Sequence, residues 1–105
     1  MGPENEETVG RRLLRMLEEI NTLIPKAQSG DLENLRKVRK ELLERIDTLV
    51  EGNLDRASRE YQEAADGLSA ASAAIRRAIA GMETVAKAVA AAAKALELVA
   101  KLAPA

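Results

Sequence analysis

The sequence predicts an all-α fold: a helical hairpin or three-helix unit with a long, alanine-rich C-terminal helix that packs like a coiled coil. Three observations point there. Every seventh residue of the second half is apolar: Leu54, Tyr61, Leu68, Ile75, Met82, Val89, Leu96 and Ala103. A smaller stripe runs beside it through Ala57, Ala64, Ala71, Ala78, Val85, Ala92 and Val99. Finally, 47% of residues are hydrophobic but only 1% aromatic. Alanine methyls bury little surface, at roughly 25 cal/mol per Å², so such a core needs long lines of contact between helices.

The 105 residues read as a single helical domain, 1–105. A first helix is predicted over 5–24. Glu6 and Glu7 suit its positive end, and Val9, Leu13, Met16, Leu17, Ile20, Leu23 and Ile24 form its apolar face. Pro25 stops it, because the residue before proline is pushed out of the helical region. A second helix is predicted over 31–51, with Asp31 as its cap and Leu32, Leu35, Val38, Leu42, Leu43, Ile46, Leu49 and Val50 inward. Gly52 supplies a left-handed stop and Asn53 the next cap. The third helix is predicted over 54–103, because the heptad phase crosses Gly67 and Gly81 unshifted. A break near Gly81 is the alternative, and it gives a four-helix bundle.

Two helices of about 20 residues span some 30 Å each and cover only part of a rod about 75 Å long. The face around Val85, Val89, Leu96 and Val99 is then bare, and bare apolar stripes mark interfaces. The expectation is a homo-oligomer, most simply an antiparallel dimer. Its interface is Leu68, Ala71, Ile75, Ala78, Met82, Val85, Val89, Ala92, Leu96 and Val99. A helical partner protein is a second occupant for the same stripe.

Much chemistry is missing from the residues. There is no His and no Cys, so Ser-His-Asp and Cys-His systems, thiolate or imidazole zinc sites and Glu-x-x-His di-iron sites are excluded. No Gly-rich phosphate loop follows a strand. The pairs Glu18/Glu19, Glu41/Glu44 and Glu60/Glu63 lie among Arg and Lys and read as solvated helix surface. No catalytic residue, cofactor or metal is expected, and the chain reads as non-enzymatic. With 16 basic and 17 acidic residues and a net charge of −1, nucleic acid is a poor partner. The clusters Arg11/Arg12/Arg15 and Arg36/Lys37/Arg39/Lys40 carry interleaved acids and no stacking aromatics. No segment approaches the roughly 20 apolar residues of a membrane span. The acidic N-terminus is no secretory signal. A cytoplasmic location is therefore expected, with non-classical secretion as the alternative.

The run Leu35-Arg36-x-x-Arg39-x-Glu41-Leu42-Leu43-x-Arg45-Ile46-Asp47 resembles a helix of the all-helical chorismate mutases, whose basic residues grip a dicarboxylate. That family's long first helix has no counterpart here, and no residue role is carried over. The midpoint break at Gly52-Asn53 is similar to the hairpins of small secreted effector proteins, although their Trp-x-Gly turn is absent. This similarity implies a secreted, effector-type role as an alternative. Lys87, Lys94 and Lys101, seven apart, suggest another: a helix lying on a membrane surface.

Overall fold

A computed structural model describes residues 8–102. Among these residues there are four helices and no strand: α1 (Val9–Leu23), α2 (Ser29–Thr48), α3 (Arg59–Ile79) and α4 (Val85–Ala100). Short 3-10 turns cover Ile24–Lys26 and Glu51–Asn53.

Local chemistry sets each boundary. Thr8 is extended, and its hydroxyl accepts from the Arg11 N–H at 3.1 Å, so α1 starts at Val9. The expected start at 5–7 lies outside the described residues. Pro25 ends α1 as expected, through the 3-10 turn that contains it. The second helix begins at Ser29 rather than Asp31, which sits in its first turn, and no side chain caps it. It also ends earlier, at Thr48, and Gly52 lies in a 3-10 turn without a positive φ. Ser58, not Asn53, caps α3 by accepting from the Tyr61 N–H at 3.1 Å.

The predicted 54–103 rod is corrected in favour of its alternative. Gly81 takes φ 78°, the left-handed conformation that costs glycine nothing. Its N–H donates to the Ala78 carbonyl at 3.1 Å and the Met82 N–H to the Arg77 carbonyl at 2.8 Å. These paired bonds form a Schellman ending, which satisfies the last carbonyls of α3. Thr84 then caps α4, its hydroxyl accepting from the Lys87 N–H at 3.2 Å. The longest dimension of the fold is 39 Å, about half the expected rod.

Contacts between helices fix the direction of each. The Val9 N–H donates to the Tyr61 hydroxyl at 2.9 Å, Arg12 reaches Ser69, and Glu19 meets Ser72 and Arg76. Both residue numbers rise together, so α1 and α3 run parallel. Arg39 donates to the Asn21 side chain at 2.6 Å across the antiparallel pair α1/α2. α3 packs on α4 and α4 on α2. The two hairpins, α1–α2 and α3–α4, thus stack with like-directed helices side by side. Residues 49–58 link α2 to α3 across the base.

The core follows the apolar spacing: Val9, Leu13, Met16, Ile20 and Leu23 from α1, Leu35, Val38 and Leu42 from α2, Leu68 and Ile75 from α3, Leu96 and Val99 from α4. Gly67 is one point of close approach between α3 and α4. A Cβ there would lie 2.8 Å from Leu98 Cδ1 and 3.8 Å from the Ala95 methyl. Ala64, Ala71, Ala74 and Ala78 share its helical face by their 3, 4, 7 and 11 spacing, and all are buried. The small-residue stripe is the seam between α3 and α4.

Two substitutions test the backbone reading. Gly81→Ala is expected to cost about 1 kcal/mol, since an L residue pays for the left-handed region. Ser29 occupies that region at φ 50°, so Ser29→Gly is expected to gain about 0.5 kcal/mol. Urea midpoints measured with unchanged slopes check both.

Candidate interaction surface

The structure puts most of the predicted interface inside one chain. Leu68, Ala71, Ile75, Ala78, Ala92, Leu96 and Val99 are buried, and Val85 and Val89 are half-buried against the core. Met82 departs from the rest. It lies in the turn after Gly81 and is 73% exposed, so it belongs to no helical stripe. The bare distal face expected for a continuous rod does not exist, because α4 folds back and packs that face against α3 and α2. Any partner using this stripe would have to displace the α3–α4 packing.

The Glu18/Glu19 pair divides. Glu18 is exposed, whereas Glu19 is a fastener between helices. Its carboxylate accepts from Ser72 and, at 3.0 Å, from Arg76, with only 14% of its side chain exposed. Ser72 is itself 6% exposed, so its hydroxyl needs this acceptor. Ser72 and Arg76 stand four apart on one flank of α3, so a single carboxylate reaches both. Tyr61 is a core residue as expected, and its hydroxyl has a second use. It accepts from the buried first N–H of α1, a group with no partner inside its own helix.

What remains outside is limited. Among the described residues the exposed large apolar ones are Leu14 (51%), Leu43 (39%), Val50 and Met82. Leu14 and Leu43 fall on one seam. Leu43 is one turn beyond Arg39 on α2, Leu14 is two turns before Asn21 on α1, and Arg39 bonds Asn21. Half-buried Leu17 lies on the same side of α1. Around this patch the exposed charges are ordered: Arg11 and Arg15 precede Glu18 on α1, and Arg36, Lys37 and Lys40 precede Glu44 and Asp47 on α2. Lys40, Leu43, Glu44 and Asp47 line one shallow hollow.

Other expected sites are less well supplied. Lys87, Lys94 and Lys101 are all exposed, but their exposed neighbours on α4 are Ala86, Ala90, Glu97 and Ala100, which offer no bulky anchor. In the chorismate-mutase-like stretch, Arg36 is exposed, Arg39 donates to Asn21, and Arg45 lines a different region, so the three form no common pocket. Among the described residues no helix is long and apolar enough to cross a membrane. Comparison with protein-family models, curated proteins and solved structures finds no match to this chain.

The Glu19 contact yields a ranked prediction. Glu19→Ala is expected to cost about 1–3 kcal/mol because it strands a buried hydroxyl. Arg76→Ala, an exposed partner, should cost under about 1 kcal/mol. A double-mutant cycle between Glu19 and Ser72 is expected to give coupling of at least about 0.5 kcal/mol, and no coupling would remove the fastener.

Proposed function

We propose that this protein is a non-enzymatic helical interaction module that self-associates through the outer face of α1 and α2. The observation that carries this reading is the pair Leu14 and Leu43, exposed together over one interhelical seam and flanked by ordered charge. A twofold axis across the helices lays α1 antiparallel on α1 of a second copy. The Arg11/Arg15 end of one then meets the Glu18 end of the other. The same operation sets Arg36, Lys37 and Lys40 against Glu44 and Asp47. One surface therefore complements itself, as a twofold interface requires.

The face is modest. About 23 Å of helix by about 20 Å of width gives on the order of 500 Å² per partner, which suits a transient contact rather than an obligate one. This differs from the expected obligate rod-to-rod pairing, which relied on a stripe now inside the core.

Sedimentation velocity from about 1 µM to about 1 mM tests the reading. The expected result is a mass average rising toward the dimer, weakened by added salt. Leu14→Gln with Leu43→Gln should hold the chain at monomer mass while leaving helicity unchanged, because both positions are exposed. A monomer over the whole range, or association untouched by the double substitution, would sink it.

A further inference from the structure

At the base of the bundle, α2 and α4 end side by side and a cleft of about 270 Å³ opens between them. Leu49, Val50, Leu54, Val99 and Leu102 make its walls apolar. Among the described residues of its lining, Arg45 is the charged one. The Nε of Arg45 is buried and meets no acceptor. A buried donor without an acceptor is costly. The negative ends of two helices favour the charge, yet they leave that donor unmatched. An apolar hollow with one cationic side chain in its lining calls for a molecule with an apolar body and an acidic head.

We propose that this cleft binds a medium-chain alkyl carboxylate. Its carboxylate accepts from Arg45, and its chain lies along Leu49, Val50, Leu54 and Leu102. Three features select this class. The volume lies just below the usual range of small-molecule sites, so a short chain fits and a long one does not. The guanidinium edge matches a planar carboxylate. A doubly charged phosphate would face the C-terminal ends of α2 and α4, with Asp55 and Glu60 in the adjoining hollow against a single Lys101. One negative charge is what the surroundings tolerate.

Amide chemical shifts of the whole chain, titrated with octanoate to millimolar concentration, test the proposal. Shifts are expected over residues 45–54 and 99–102. Octan-1-ol and octyl phosphate should bind more weakly than octanoate. Arg45→Gln should weaken octanoate about tenfold, the loss of one charge-assisted hydrogen bond, and leave octan-1-ol unchanged. Val50→Glu, at an exposed position, should abolish octanoate binding by repulsion and keeps the test open if the Arg45 variant folds poorly. Octan-1-ol binding as tightly as octanoate, indifference to both substitutions, or no shifts in the cleft would overturn it.

Discussion

Everything in this fold depends on how near α3 can come to α4. An alanine side chain offers one methyl, so an alanine seam gains little unless the two backbones lie almost in contact. Gly67 helps at one point. Its missing Cβ leaves room for Leu98 and the Ala95 methyl, and Ala64, Ala71, Ala74 and Ala78 keep the rest of the face low. A straight rod could satisfy such a face only by finding another molecule. A turn at Gly81 lets the chain satisfy it alone, and the larger Leu68, Ile75, Leu96 and Val99 are left to fill the space between the hairpins.

The contact between α1 and α3 works on a different principle. Parallel neighbours set their helix dipoles side by side with the same sense, which is mildly unfavourable, and apolar a/d packing alone specifies register weakly. Directional bonds supply what the packing lacks. Tyr61 to the Val9 amide ties the starts of the two helices, Arg12 to Ser69 lies higher, and Glu19 to Ser72 and Arg76 ties their C-terminal halves. Sliding either helix by one turn would strand a buried amide and a buried hydroxyl together. Those two penalties, each on the order of 1–3 kcal/mol, act on register rather than on helix formation.

Much of the helical content was legible because α1 and α2 each show one uninterrupted apolar face. Val9, Leu13, Met16, Ile20 and Leu23 are inward as their spacing requires, and so are Leu35, Val38 and Leu42. The break at Gly81 was harder to see. The heptad count runs unshifted from Ile75 through Met82 to Val89, although α3 and α4 are separate helices with independent phases. The turn between them happens to preserve the count. The caps were readable only weakly: Ser58 and Thr84 are followed at the third position by Tyr61 and Lys87, not by the Glu or Gln of a capping box. The Glu19 contact was hidden for another reason. Its partners lie 53 and 57 residues away, and nothing local separates it from the exposed Glu18.

The two hairpins also differ in what they leave outside. The α3–α4 hairpin uses its small residues inwardly, and its helices show solvent charged, polar and alanine residues such as Glu63, Asp66, Arg77, Ala86 and Lys94. The α1–α2 hairpin keeps leucines on its outer seam, and α1 carries its charges against its own dipole. Its first turn has no acid, Arg11 and Arg12 sit near its start, and its last turn has no base. That order costs an isolated helix a few tenths of a kcal/mol per misplaced charge. An antiparallel neighbour reverses the sign, because the acidic end of one helix then lies beside the basic end of the other. Within the chain α2 supplies one such neighbour, and under the proposed pairing a second copy of α1 would supply another across the outer face. The charge order of α1 is thus intelligible as a pattern for pairing rather than for helix stability, which is why the leucine seam, and not the alanine stripe, is the surface to which a partner is assigned.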